Sequence, residues 1–573
     1  MRFLLGLALL LTTIAVAIGQ LPASPAATPA QTAAPAAPSV NRCASPTPAL
    51  DPAAGPARTR WMSWGNDASN SRFVAAGGLT AGDVPRLKLK WAFGYNGAMT
   101  ARPQPAMAGG KLFAASDNAE LHALDPKTGC SYWTFKAEVG VRSGITVGPY
   151  RSAGRAGYAV FFGDQRANAY AVDTITGQQV WKRKVDEYPA AAITGALTIQ
   201  DGKVFVPVQG LNEEGSGGRS QTPCCQFRGS LAALNADTGA VIWKTYMVDE
   251  PKLRGKNTRS GQDAYGPAGG SIWSSPTVDL RRRSVYVSTG NAFADPPQPM
   301  TDAIVAMDID TGKVKWVYQA TANDNWLGGC GARSGGNPGC PETQGPDHDF
   351  SASPLLATVA GRQLLVTPQK SGMAHALDPD TGKLAWQYRF GQGSGLGGVW
   401  GAAADGQNIY FGVGDGQSQN PGGVRAARLA TGEQLWTVPG PQPRLCAAIP
   451  RCNASQGGAV TLIPGAVLAG SHDEPTFVCF LPDGKLRTRR APSVDHLVIS
   501  PLLAGDILQE IEDQSIHCVG HGGLGVAPHI GQLEPILARL DACRNGNDRQ
   551  KSGFVVCGIG SFSKLKRVCM SAQ

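Results

Sequence analysis

One signature returns six times along the chain, and each time a tryptophan follows a Thr-Gly turn at the same distance. The copies are LDPKTGCSYW (Leu124–Trp133), VDTITGQQVW (Val172–Trp181), LNADTGAVIW (Leu234–Trp243), MDIDTGKVKW (Met307–Trp316), LDPDTGKLAW (Leu377–Trp386) and ARLATGEQLW (Ala427–Trp436). In all six the Trp stands four residues after the Gly. Such a unit reads as a strand, a tight turn closed by Thr-Gly, and an outer strand carrying the Trp. Another strand lies upstream of the copies, as in GGKLFAAS (Gly109–Ser116), DGKVFVPV (Asp201–Val208) and RSVYVSTG (Arg283–Gly290). Units of this kind, spaced by roughly 50 to 70 residues, predict the blades of a β-propeller. No single unit can bury its apolar face; stacked neighbours share a core.

Leu87–Trp91 reads as an outer strand with no turn before it, the piece that ring closure needs. With a further strand near Ala459–Ser471, the count points to an all-β, eight-bladed propeller. Composition agrees: 73 Gly, 41 Pro and 12 Trp with only 17% charged residues leave little room for exposed helix. The net charge of +9 is spread thinly. It suits an anionic ligand or an acidic redox partner, and no Lys/Arg block forms a nucleic-acid patch.

Residues 1–20 read as a secretory signal: Arg2, an apolar run from Phe3 to Ile18, and Ala15-Val16-Ala17 as a cleavage site. The run is short for a membrane span, and no later segment is apolar enough for one. The expectation is a periplasmic or secreted protein with no stable membrane span after signal removal. Residues 21–57, rich in Ala and Pro, read as a disordered linker ahead of a propeller over 58–473. Thirteen cysteines fit an oxidising compartment, and Cys330–Cys340 and Cys446–Cys452 are spaced for small loop disulfides.

Chemistry is concentrated between blades. Glu213 and Glu214 form an acidic pair on a Gly-rich loop, with the adjacent pair Cys224–Cys225 following. Long loops on one face of a rigid ring are where function usually resides.

The repeat, together with WMSWGNDASNSRF (Trp61–Phe73), resembles the pyrroloquinoline quinone (PQQ) dependent alcohol dehydrogenases. WSSPTV, STGNAF and GPDHDFSASP bring it to the polyvinyl alcohol dehydrogenase branch. The resemblance covers roughly residues 58–473. It implies PQQ and a divalent metal in a central funnel. Glu213, with Glu214 beside it, and Asn291 match metal-binding positions, and a hard cation takes such oxygen donors. Trp273 matches the tryptophan on which the quinone stacks, Lys370 a basic contact to its oxygens, and Arg142 an arginine that pairs a carboxylate. Cys224–Cys225 matches a vicinal pair that the wider family places elsewhere, one that can still reach the cofactor from the next blade.

For the general base, Asp324-Asn325-Trp326-Leu327 carries Leu where the family has Asp. If the Cys- and Gly-rich insertion Cys330–Cys340 is looped out, Asp349 falls into that position, with Asp347 next and Asp324 after it. Ser351 replaces the second Asp of a lanthanide-type site, so the resemblance implies Ca2+. It further implies oxidation of an alcohol carbon, of a polymeric secondary alcohol in that branch. No Cys-x-x-Cys-His motif occurs, so a separate cytochrome c is the expected electron acceptor. The competing reading is a cofactor-free propeller that binds proteins in the cell envelope.

Residues 474–573 contain no Thr-Gly turn and no Trp, although about 100 residues would finish a ring. Three readings stand: a divergent pair of blades, an appended module, or a shift of reading frame near Asp473.

Overall fold

A computed structural model describes residues 41–49, 60–490 with internal gaps, and 515–521; the longest gaps are 214–223, 331–338, 394–399 and 441–454. The signal, Glu214 and the Cys446–Cys452 pair lie outside the described residues.

Seven four-stranded antiparallel sheets follow one another along the described residues. The first is Ala106–Ala108, Lys111–Ala115, Glu120–Leu124 and Ser131–Lys136. The other six open on the short strands Thr146–Ser152, Thr198–Gln200, Thr277–Asp279, Leu355–Val359, Ala403–Ala404 and Thr461–Ile463. The chain is therefore an all-β propeller.

Each repeat turn closes for a local reason. In five of the six copies an Asp or Asn four residues before the Gly accepts the next backbone N–H groups, as Asp125 Oδ1 does from Lys127 and Thr128 and Asn235 Oδ1 from Asp237 and Thr238; the sixth has Arg428 there. The Gly then takes a left-handed conformation, φ +68° at Gly239 and +70° at Gly312.

The Trp of one sheet docks on the turn of the next. Its indole N–H donates to a turn carbonyl there: Trp133 to Thr174 O, Trp181 to Ala236 O, Trp243 to Ile309 O and Trp386 to Leu429 O, at 2.9–3.2 Å. The ring lies flat against the Gly, where a Cβ would stand 2.7 Å from Trp133 at Gly177 and 2.5 Å from Trp243 at Gly312. Thr-Gly and Trp recur together because they are the two halves of one joint between neighbouring sheets.

The same rule finds a seventh copy that the repeat search passes over. Phe477–Phe480 and Leu486–Arg490 complete the seventh sheet through the turn Leu481–Lys485. Gly484 stands in the Gly place, against Trp436, and Thr488 stands four residues later, paired with Cys479 where a Trp would be. This four-stranded sheet therefore runs past Asp473 to Arg490. Asp-Gly has replaced Thr-Gly, and Thr has replaced Trp.

An eighth four-stranded sheet is not among the described residues. Lys88–Tyr95 carries Trp91, which donates to Pro126 O at 2.9 Å and lies against Gly129 of the first sheet, as a closing outer strand should. Its partner is Ser515–His521, and the pairing is parallel, unlike the other sheets.

The Trp61–Phe73 stretch joins the blades. Met107, Val147, Val278, Leu356, Ala404 and Leu462 belong to the opening strands of the first, second, fourth, fifth, sixth and seventh sheets. They bond to the backbone of Trp61, Met62, Ala68, Ser69, Ser71 and Arg72 respectively, at 2.8–3.2 Å. Arg72 is 2% exposed and donates to Val460 O and Thr461 Oγ1 at one end of the chain of sheets and Gln104 Oε1 at the other.

Residues 41–49, expected within the linker, pair with the first sheet instead. Cys43 N–H donates to Ser131 O, and a disulfide joins Cys43 to Cys130. Cys330–Cys340 is bonded, as its spacing predicts. No helix among the described residues is long and apolar enough to cross a membrane.

Candidate active site

In every sheet the loop entering the first strand and the loop leaving the second open on the same face, because the two strands are antiparallel. The candidate residues sit on those two kinds of loop. Arg142, Trp273 and Asp349 precede the opening strands of the second, fourth and fifth sheets; Glu213, Asn291 and Lys370 follow the second strands of the third, fourth and fifth.

The structure brings Asp349, Lys370, Asp347, Asn291 and Trp273 together. Asp349 is 1% exposed; its Oδ1 accepts the Asn291 backbone N–H at 2.8 Å and its Oδ2 the Lys370 ammonium at 3.0 Å. The same ammonium donates to Asp347 Oδ1 at 2.7 Å. It also lies 5.2 Å from the Trp273 ring centroid and 5.8 Å from that of Trp326. Gly290 lies beside the carboxyl: a Cβ there would stand 3.4 Å from Asp349, in ordinary contact.

Asp324 is occupied otherwise. Its two oxygens accept the backbone N–H groups of Asp347 and His348 at 3.2 and 2.7 Å, so it holds the loop that presents Asp349. His348 is pushed below its usual range, chiefly by burial.

Asn291 is built as an oxygen donor. Its Nδ2 donates to Ala292 O and Trp326 O, both at 2.7 Å, which fixes the amide. Its Oδ1 is buried with no hydrogen-bond partner among the described residues. A buried amide oxygen left without a donor fits a hard cation better than it fits bulk protein.

Trp273 and Arg142 line one pocket with Arg102, Thr194, Ser351 and Trp400. Trp400 meets Trp273 edge to face, 5.8 Å between centroids at 89°. Four buried polar atoms of this wall have no partner among the described residues: Trp273 Nε1, Trp400 Nε1, Thr194 Oγ1 and Ser351 Oγ. Two guanidinium groups, an indole face and unpaired N–H and O–H groups fit a flat, polyanionic ligand with carbonyl and carboxylate oxygens, which is what PQQ is. Burial lowers the Arg102 pKa, and Asp117 partly opposes this.

Glu213, the candidate metal ligand, follows the second strand of the third sheet. It is fully buried, and its carboxylate accepts from Tyr188 Oη at 2.7 Å and from the Gln226 and Phe227 N–H groups at 3.1 and 2.8 Å. Burial raises its pKa against those three bonds. One of its oxygens lies within 4.8 Å of both sulfurs of Cys224–Cys225. Those cysteines are joined as a disulfide, so neither offers a thiolate. They are not among the pocket-lining residues, and Cys225 packs in the apolar core between the second and third sheets.

Sequence reasoning missed Arg102, Trp400, Thr194 and Ser351 as pocket residues, and Asp302. Asp302 is fully buried with no partner for either oxygen among the described residues. Burial and the neighbouring Asp349 and Asp324 hold it well above the usual carboxylate range. One rule would have found the pocket residues: read the residues just before each opening strand.

Comparisons with known proteins bear on the family of the chain. A family profile described as "Glucose/ethanol/alcohol dehydrogenase, beta-propeller domain" matches residues 61–327. One described as "Outer membrane protein assembly factor BamB" matches 228–519. A polyvinylalcohol dehydrogenase of Pseudomonas sp is 41% identical over 432 residues, 74% of this chain and 66% of that protein. The chain belongs to the quinoprotein alcohol dehydrogenase family. A second polyvinylalcohol dehydrogenase, of Sphingopyxis sp. (strain 113P3), is 38% identical over 73% of this chain and 64% of its own length. The chain thus spans about two thirds of the length of these two relatives. The crystal structure of the quinohemoprotein alcohol dehydrogenase from Comamonas testosteroni shares the fold, with TM-score 0.56, 18% identity, and coverage of 81% of this chain and 75% of that one.

Proposed function

We propose that this chain oxidises an alcohol carbon in the periplasm with PQQ and Ca2+, and that a separate cytochrome c accepts the electrons. The observation that carries the reading is the contact between pocket and base: Lys370 Nζ sits over Trp273, a wall of the pocket, while bonded to Asp349. Trp273 offers the stacking face, Arg142 and Arg102 the carboxylate partners, and Asn291 Oδ1 an oxygen for the cation. When bound, PQQ supplies the electron acceptor of the reaction. Asp349 takes the hydroxyl proton, its Oδ1 held by the Asn291 N–H and its Oδ2 by Lys370, so the carboxylate is fixed before substrate arrives. Trp400 and Trp273 wall the pocket and limit water. A polymeric secondary alcohol is the substrate class supported by the two polyvinylalcohol dehydrogenase relatives.

The match of residues 228–519 to an assembly-factor profile favours a second reading, a cofactor-free binding scaffold. A scaffold has no use for a buried Lys370 shared by two aspartates, or for unpaired donors around a pocket. Reconstitution decides between them. Dye-linked alcohol oxidation is expected only with PQQ and Ca2+ together. Asp349→Asn should bind PQQ, read by quenching of tryptophan fluorescence, yet lose turnover by roughly two to four orders of magnitude. Protein that binds no PQQ overturns the reading, and a fully active Asp349→Asn overturns the base.

A further inference from the structure

A base that takes a proton at every turnover must also lose it, and Asp349 is sealed in. Its side chain is 1% exposed, and the ammonium bonded to it, Lys370, is 7% exposed. Asp347, on the other side of that ammonium, is 25% exposed and is the one carboxylate of the three-residue chain that reaches water. The links are 3.0 Å from Lys370 Nζ to Asp349 Oδ2 and 2.7 Å to Asp347 Oδ1, both hydrogen-bond distances.

We propose that Asp347 is the proton outlet of the site, fed from Asp349 through the Lys370 ammonium. This rests on the alcohol-oxidation reading above. In the step, a Lys370 N–H bond breaks first as an O–H bond forms on Asp347, leaving a neutral amine. The amine lone pair then takes the proton of Asp349, so that O–H bond breaks as a new N–H bond forms on Lys370. Lys370 keeps its charge, Asp349 is again a carboxylate, no electron moves, and the proton leaves Asp347 for water.

The surroundings suit the task. The Asp347 carboxyl is pushed up to about 7, first by burial, with Lys370 pulling down and Asp349 and Asp324 pushing up. A group titrating there both takes and gives a proton near neutrality. The charged and titrating groups facing the chain are Asp324, His348 and the buried Asp302. Arg389 acts on His348 from the fifth sheet. The loop is held for the purpose: Asp347 sits at φ +65° with its N–H on Asp324 Oδ1. Asp347 acts through Lys370 and Asp349 and does not touch the reacting carbon, which separates this role from that of the base.

The test uses the holoenzyme with PQQ and Ca2+. Asp347→Asn should lower kcat by about a hundredfold with KM and PQQ affinity within about twofold. The lost rate should return as small carboxylate buffers are raised, because a soluble carboxylate can take the proton from Lys370. Asp347→Glu, which keeps a titrating oxygen within reach, should keep most of the turnover. In apoprotein, the infrared band of a protonated carboxyl should titrate near neutral pH in the wild type and be missing from Asp347→Asn. An Asp347→Asn enzyme as fast as wild type overturns the outlet; so does a loss in both variants that no buffer restores. Wild-type protein that binds PQQ but oxidises no alcohol overturns the functional reading itself.

Discussion

Arg72 gives the sharpest test of how the blades are held in register. Its guanidinium is fully enclosed and donates to Val460 O at 2.7 Å, to Gln104 Oε1 and Thr461 Oγ1 at 3.1 Å, and to Trp64 O. It also lies 5.3 and 5.0 Å from the ring centroids of Trp61 and Trp64. Burial pushes its pKa down to about 9, so it remains charged at neutral pH. Consider Arg72→Met. Trp64 O keeps a donor, because Gln104 Nε2 also reaches it at 3.0 Å, and the Thr461 hydroxyl can turn. Val460 O and Gln104 Oε1 lose the guanidinium donor, at about 1–3 kcal/mol each when buried. Relief of burying a charge works the other way. We expect a net loss of about 3 kcal/mol, within the range for breaking buried charged contacts. The assay is urea unfolding, with a lower midpoint at unchanged slope. Because Trp64 lines the pocket, PQQ affinity should fall as well. A variant as stable as wild type, or more stable, would refute the reasoning; apolar residues can replace some buried ions without loss.

Gly312→Ala should destabilise by about 3 kcal/mol, because a Cβ at φ +70° would sit 2.5 Å from the Trp243 ring. Gly202→Ala, also at φ +70° but with open space around it, should cost only about 1 kcal/mol by the same unfolding measurement; equal losses would remove the docking joint from the argument. His375 is 3% exposed, with Nδ1 3.1 Å from Tyr318 Oη and Gln387 Nε2, and burial pushes it down to about 4. The unfolded state then binds the extra proton between its own pKa near 6.5 and 4, so stability is full above that window and falls as pH drops through it, by roughly 3 kcal/mol. His375→Gln should lose less between pH 7 and pH 4.5 than wild type does, and an identical loss would assign the acid sensitivity to other groups.

The fold was legible because its joint is written twice in each unit. Thr-Gly supplies the left-handed turn and Trp the ring that lies on it, and both need particular residue types. Where one residue can substitute for another, legibility stops. At Asp483–Gly484 a different turn residue does the same work, and Thr488 fills the Trp place, paired with Cys479. A search for Trp therefore ends one blade early. The pinned segment at Cys43 was illegible for another reason: a disulfide to Cys130 joins residues 87 apart, and spacing alone cannot choose that partner among thirteen cysteines.

The site divides along a similar line. Asp349, Lys370, Asn291 and Trp273 stand beside strand ends whose register the repeat fixes, so their convergence follows once the blades are placed. Glu213 stands beside the Gly-rich loop, where chain length does not determine direction. There the carboxylate turns to Tyr188 and the Phe227 N–H. Asp324 shows why motif position misleads within the active loop. It keeps the Asp-Asn-Trp context, but its two oxygens cap the backbone of Asp347 and His348. The disulfide Cys330–Cys340 closes the intervening insertion, and the chain returns to put Asp349 against Gly290 and Asn291. Asp324 spends both oxygens on backbone N–H groups and so holds a loop, whereas Asp349 divides its oxygens between the Asn291 N–H and the Lys370 ammonium, which lies over Trp273.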